Sequence, residues 1–458
     1  MDFNSVLKVI EDAAYRCTEC GICTHRCVVL DTEIPLTIGQ ICKHVMWRDP
    51  DDPSTSFLSE GKLNAPEEEF FEHVRKVLHT TRPDILFAIR RCCMCGFCTI
   101  YCPVDIDARA AYTALRALMY EADVINKRDF RLTKIDEPWH LFSAYRAING
   151  ISYLDMPRLL TAEEREEQEA QDGESKENTK PEYLFFPGCT LASYAPELTR
   201  EVFDWLNEHG YPSIITEDCC GSPLKSAGNY RDLTTFKDSL RDRMISQGIK
   251  KIVFVCPGCE EELKEAIHSD DEFELIPLPR LLVEQGVTIS SDQVAQSLKA
   301  SPDQEDKNQA AQVCVFDSCH DRDQRYGACI RELFKENEIK EMRYRGKNAQ
   351  CCWASGSTSL VDPDIGPKRA QELFDEGLTV ANLQVNNCPT CAYTMASHAL
   401  SHPELQDVAE KSVNGLGFSQ LNYLELVFEN KFDWDKVFEQ LQGMWTGEYG
   451  AWAAQELL

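Results

Sequence analysis

No apolar run in this chain of 458 residues approaches the ~20 residues needed to cross a bilayer, so membrane attachment would have to come through another subunit. The amino-terminal stretch MDFNSVLKVIEDAAYR has no apolar core of the secretory-signal kind, and the expected compartment is a reducing cytoplasm. Basic residues are scarce. Against 76 Asp and Glu there are 47 Lys and Arg, a formal net charge of −29. That balance argues against nucleic acid or an anionic membrane surface as a direct partner and favours partners with basic patches. No G-x-G-x-x-G fingerprint occurs, so the chain brings no obvious flavin or nicotinamide site and is expected to work in a complex.

Cysteine, by contrast, is abundant, at 22 residues. A disulfide framework is one use for so many thiols, but the missing signal core and the C-x2-C spacings suit metals better. Ten of them form a repeat. Cys189 is followed after 29 residues by Cys219-Cys220-Gly221 and after a further 35 by Cys256-Pro-Gly-Cys259. Cys319 is followed after 31 residues by Cys351-Cys352 and after a further 35 by Cys388-Pro-Thr-Cys391. Five cysteines placed twice in one order indicate a duplicated metal-binding half-domain.

Two further runs precede the repeat: Cys17-x2-Cys20-x2-Cys23-x3-Cys27 and Cys92-x2-Cys95-x2-Cys98-x3-Cys102-Pro103. This is the two-cluster ferredoxin spacing, in which a short loop wraps three thiolates around one cubane and the fourth cysteine ligates the other. It assigns Cys17, Cys20, Cys23 and Cys102 to one 4Fe-4S cluster, and Cys92, Cys95, Cys98 and Cys27 to the second. A pair of zinc sites is the alternative, and Val28 stands where the first run would carry proline. Cys42 and Cys93 fall outside the pattern and read as buried or bystander thiols.

Residues 1–16, 66–79 and 108–122 have helical patterning, so the paired runs sit in a mainly helical domain over 1–145. A connector with an acidic, solvated stretch (TAEEREEQEAQDGESKENTKPE) fills 146–182. Beyond it, YLFFPGC, PSIITEDCCG and KKIVFVCPGC are short β-rich runs alternating with helical stretches, and the order recurs in QVCVFDSC, QCCWASG and VANLQVNNCPTC. The expected fold is α/β: a helical two-cluster ferredoxin-like domain, then a duplicated α/β domain over 183–298 and 312–430, joined by a linker at 299–311. Parallel sheets would place the cysteines at strand carboxyl ends, where open α/β sheets hold their ligands. An aromatic tail over 431–458, with Trp434, Trp445 and Trp452, either caps the chain's own core or docks a partner.

A cubane needs four thiolates, so five cysteines per repeat leave one spare. Adjacent Cys219 and Cys220 point in different directions in most backbone conformations, suiting ligands to different irons or a bridging sulfur; a zinc site with a spare thiol is the alternative. The double pattern resembles the CCG cysteine-rich domain. With a two-cluster ferredoxin module in front of it, the chain is similar to the fused catalytic subunit of heterodisulfide reductase. The iron–sulfur subunits of anaerobic glycerol-3-phosphate dehydrogenase and of glycolate oxidase share this architecture. The resemblance implies two noncubane 4Fe-4S clusters, one on Cys189, Cys219, Cys220, Cys256 and Cys259, the other on Cys319, Cys351, Cys352, Cys388 and Cys391. It also implies cleavage of a small-molecule disulfide by successive single electrons, and partners of flavoprotein, hydrogenase-type or membrane electron-transfer kind. His320 is then a candidate proton donor, with a cluster-shell histidine as the alternative, and Lys225 a candidate to offset thiolate charge. Trp353 stands where the family has glycine, so the second site is expected to differ from the first. Two functions follow: an enzyme acting on disulfides, or a non-catalytic subunit passing electrons from a flavin dehydrogenase to a quinone or membrane partner.

Overall fold

The computed structural model describes residues 2–27, 36–166, 181–264, 273–298, 311–354, 356, 365–401 and 418–457. Val28, the linker at 299–310 and the central part of the acidic connector lie outside the described residues. Among those described, no helix is long and apolar enough to cross a membrane.

The amino-terminal region is helical, as its patterning predicts. Helix Phe3–Arg16 is started by Asp2, whose carboxylate accepts from Ser5 N, and it buries Val6, Leu7, Ile10, Ala13 and Ala14. That face packs on helices Ile38–Met46 and Ala108–Glu121. Glu67–Lys76 carries three acids in its first turn and bases in its last, the order the macrodipole favours. The helical pattern read over 66–79 changes register near its end, where Val77–Thr81 forms a π-turn before the Pro83–Arg91 helix begins. A two-stranded hairpin, β1 (Leu58–Ser59) with β2 (Lys62–Leu63), is the region's only described sheet.

The remainder is built on two four-stranded sheets. The first contains β3 (Tyr183–Phe186), β4 (Ser213–Ile215), β5 (Lys251–Phe254) and β6 (Glu274–Pro277) in the order β4-β3-β5-β6, all parallel. The second contains β7 (Gln312–Phe316), β8 (Glu338–Ile339), β9 (Leu383–Asn386) and β10 (Ser419–Asn422) in the order β8-β7-β9-β10, again all parallel. Counted within each copy the order is identical, so the duplication seen in the cysteines is a duplication of topology. Parallel strands need helical crossovers on both faces, which is why YLFF and KIVF are continuous apolar runs. Phe185, Phe186, Phe254 and Phe316 are almost completely buried in one shared core, each contributing roughly 1.5–3 kcal/mol through burial.

The connector joins the first sheet, with Leu159 N donating to Ile215 O and Ile215 N to Pro157 O. The aromatic tail folds as helices Trp434–Thr446 and Glu448–Leu457, packed on Ala144, Tyr145 and Tyr194. Trp434 stacks on Phe432, while Trp445 stays substantially exposed. Of the two roles open to the tail, capping accounts for most of its aromatic surface.

Candidate functional site

Two sulfur-lined cavities lie side by side in the helical region. One is lined by Cys17, Cys20, Cys23, Cys98 and Cys102. The other is lined by Cys23, Cys27, Cys92, Cys93, Cys95, Cys98 and Cys351. The fourth cysteine of each run has crossed to the other run's cavity. The loops that do this are matched: Glu19 and Met94 each take positive φ two residues into their run, and Gly21 and Gly96, at φ 77° and 73°, start the short helices that follow. Backbone N–H groups of Glu19, Met94 and Ile106 donate to the sulfurs of Cys17, Cys92 and Cys102, each at 3.3 Å. Burial pushes the Cys92 thiol up to about 12, whereas the hydrogen bond from Cys93 brings Cys95 in the same cavity down to about 6.

The ten repeat cysteines form two arrays. In the first, Cys189 Sγ lies 3.6 Å from Cys219 Sγ, and Cys220 is hydrogen-bonded by Cys219 and Cys259, which hold its thiol well below the usual range. In the second, Cys319 contacts Cys351, while Cys352 is held low by hydrogen bonds from Cys351 and Cys391. In each pair the first cysteine contacts the lone cysteine and the second contacts the C-P-x-C helix, while the two sulfurs of the pair also contact each other. The arrays meet where Cys256 Sγ lies 3.4 Å from Cys388 Sγ. Most of the motifs follow directly on a strand's carboxyl end, but Cys351 is separated from β8 by a longer loop.

Among the described residues no three His, Cys, Asp or Glu side chains converge on a point where one ion would sit. Sulfurs spaced around a cavity, with almost no other polar lining in the helical region, fit a larger, thiolate-held iron–sulfur group.

The second array faces the helical region. Cys351 and Gln350 line the Cys92 cavity, and Cys93, only 1 % exposed, lies within hydrogen-bonding contact of both Cys95 and Cys351. Trp353 has φ 80°, close to the 97° of Gly221, so the tryptophan adopts the left-handed backbone that its glycine counterpart supplies without cost. Its indole is 5 % exposed and packs in the helical core, with Nε1 lacking a hydrogen-bond partner among the described residues. Arg322 fastens the same seam, donating to Ala349 O at 2.7 Å and to Cys95 O at 2.9 Å.

A polar cavity opens beside Cys319, lined by Pro257, Glu260, Glu261, Lys264, His320 and Arg325 among others. His320 Nδ1 is bound to a Glu261 carboxylate oxygen, and Arg109 pairs with the other oxygen at 2.7 Å. Burial disfavours the imidazolium, but the Cys319 sulfur and Glu261 outweigh it and push His320 up to about 10. Lys225 is not free to face the thiolates alone: with Lys237 it grips the buried Glu262, at 3.2 and 2.6 Å. The sequence singled out the cysteines and His320. It gave no signal for Glu261 and Arg109, which are ordinary charged residues on unrelated helices, and Cys93 was set aside for lying outside the ferredoxin spacing.

Buried cysteine arrays thus stand at the ends of paired parallel sheets, beside two cysteine-lined cavities of the helical region. Residues 183–264 and 313–396 match the CCG cysteine-rich domain, so the chain carries two domains of that family. It is similar to an uncharacterized iron–sulfur protein of Methanococcus maripaludis, 24% identical over 67% of this chain and 56% of that protein. One of the subunits of the fumarate reductase (CoM/CoB) of Methanothermobacter marburgensis is 27% identical over 53% of this chain and 45% of its own length. An EtfAB:quinone oxidoreductase of Syntrophomonas wolfei is 23% identical over 86% of this chain and 57% of its own length. The chain thus spans about half the length of the curated relatives it matches.

Proposed function

We propose that this chain is an iron–sulfur subunit that reduces a small-molecule disulfide, two electrons and two protons converting one S–S bond into two thiols. Cys17, Cys20, Cys23 and Cys102 would hold one cubane 4Fe-4S cluster, and Cys92, Cys95, Cys98 and Cys27 the other. Cys189, Cys219, Cys220, Cys256 and Cys259 would hold a noncubane cluster, with a second on Cys319, Cys351, Cys352, Cys388 and Cys391. When bound, these groups supply single electrons and an iron that takes up sulfur. The observation that carries the reading is the meeting of two complete five-cysteine arrays at Cys256 and Cys388, 3.4 Å apart.

The chain's own residues supply the rest. His320 contacts both the Cys319 sulfur and Glu261, and it is the group that can hold a proton at the cavity mouth and release it to a departing thiolate. Arg109 anchors Glu261 and so fixes the ring's orientation. Flavoprotein, hydrogenase-type or membrane electron-transfer subunits would deliver the electrons, in the cytoplasm or at a membrane face reached through such a partner.

The second reading is an electron-transfer subunit linking a flavin dehydrogenase to a quinone or membrane partner. The observation favouring it is the extent, 86% of this chain, matched by the EtfAB:quinone oxidoreductase. Anaerobic protein reduced by a viologen dye and offered a panel of disulfides, then a water-soluble quinone, separates the two. Turnover of disulfides that falls in His320→Gln supports the enzyme. Turnover of the quinone alone, indifferent to His320, overturns it.

A further inference from the structure

The Ala108–Glu121 helix carries one arginine whose surroundings differ from those of its neighbours. Arg116 is buried, at 4 % exposure, and its guanidinium donates only to backbone carbonyls. Nε reaches Ile89 O at 3.2 Å; Nη2 reaches Ile89 O at 3.2 Å, Arg90 O at 2.9 Å and Cys92 O at 2.6 Å. Nη1 reaches Ser226 O at 2.8 Å and Gly356 O at 2.6 Å. These acceptors come from three places: the end of the Pro83–Arg91 helix leading into the Cys92 run, the segment after Cys219-Cys220, and the segment after Cys351-Cys352.

Other arginines of this region, such as Arg75, Arg82 and Arg131, are paired with carboxylates. Arg116 has no carboxylate partner among the described residues. A buried cation left without countercharge costs several kcal/mol. The carbonyls at the end of a helix offset part of that, and the guanidinium lies against the backbone of Cys92, which lines the inner cavity. The backbone packs closely here, and a small cavity lined by Arg90, Arg116, Ser226 and Gly356 among others lies beside the side chain. A Cβ on Gly228 would stand 2.2 Å from Arg116 O, and one on Gly356 would stand 2.7 Å from Cys92 O.

We propose that Arg116 is a positioning residue that tunes the inner cavity: its charge is the counterion of the thiolate set around Cys92, Cys95, Cys98 and Cys27, and its fork locks both CCG loops to that cavity. The proposal rests on reading those cavities as iron–sulfur sites. Adding an electron makes the inner site more negative, so a buried cation beside it stabilises the reduced form and raises its potential. The cavity of Cys17, Cys20 and Cys102 shares no hydrogen bond with Arg116 and serves as an internal control.

The test is an EPR redox titration of the anaerobic, full-length protein as wild type, Arg116→Gln and Arg116→Lys, with iron counted in each. Two cubane-type signals in the wild type establish the underlying reading, and their absence would refute that reading rather than this one. With them present, Arg116→Gln is expected to lower the midpoint of one signal by about 59 mV or more, a tenfold shift in a one-electron ratio, and to leave the other unmoved. Loss of the inner signal alone from Arg116→Gln is an equally supportive result. Arg116→Lys, which keeps the charge but not the fork, is expected to hold the wild-type midpoint while slowing reduction of the CCG signals severalfold. Wild-type midpoints in both variants overturn the proposal. Should Arg116→Gln not fold, the lysine variant decides, and a lowered inner midpoint there overturns the role of the charge.

Discussion

The two CCG copies share a strand order and differ in what they bury. In the first, the central strand β5 is apolar, and the array faces a triad of Lys225, Lys237 and Glu262 on its own domain. In the second, the central strand β9 buries Gln384 and Asn386, tied by amide hydrogen bonds to Gln420 and Asn422. Lys237 and Arg369 each follow the second cysteine of their pair by the same seventeen positions. Lys237 binds a carboxylate from the C-P-x-C helix, whereas Arg369 binds Cys351 O and Gln350. Thus both copies pack on the helical region, the first through Ala227, Tyr230 and Arg231, but only in the second does this position hold the cysteine-pair loop itself. Duplicated domains conserve topology because packing of the sheet demands it, while the loops at strand ends are free to specialise.

If the copies are unequal in this way, their cysteines are not interchangeable. Cys352→Ala should abolish dye-driven reduction of both arrays, whereas Cys220→Ala should leave the Cys319 array reducible, as seen in the EPR of each variant. Equal loss from either variant would break the comparison. The next largest effect lies in the triad. Glu262→Gln leaves two buried lysines without their carboxylate and should cost about 3–5 kcal/mol in denaturant unfolding of the loaded protein. Arg369→Lys should cost less, because its partners are a carbonyl, an amide and the exposed Glu372.

Much of this was legible in the sequence, and for identifiable reasons. Cysteine spacing pairs Cys27 with the second run and Cys102 with the first, and each lines the cavity of the run it is paired with. Apolar runs such as KIVF announce buried parallel strands. Trp353 packs into the helical core, and no local pattern records that, because most of that core lies far earlier in the chain. Arg116 was invisible for the same reason: an arginine on a helix is ordinarily a solvated one.

Trp353→Gly sharpens the comparison by giving the second copy the residue of the first. Relief of a strained left-handed backbone favours the variant, while loss of a buried indole opposes it by more. A net destabilisation of about 2 kcal/mol is expected, together with a change in the second array's spectrum or in the range of disulfides accepted. Unchanged stability, spectra and substrate range would show that the tryptophan distinguishes nothing. The smallest effect concerns how each copy closes its last strand. The first uses Pro277 and Pro279; the second uses Glu425, whose carboxylate accepts from Asn422 N and Phe432 N. Burial pushes Glu425 up to about 7 from 4.5. Since the folded form holds the proton more tightly, this contribution is complete below pH 4.5 and is lost as pH rises through 7. The protein should lose about 1 kcal/mol between pH 6 and 7 from this group, a slope that Glu425→Gln removes.

The central claim is that all four cysteine sets are iron–sulfur sites, the two CCG arrays included, and metal content tests it most directly. Protein purified without oxygen should hold about sixteen irons per chain, four for each site, with little zinc. About eight irons accompanied by stoichiometric zinc would confine the clusters to the helical region and contradict the account of both CCG arrays.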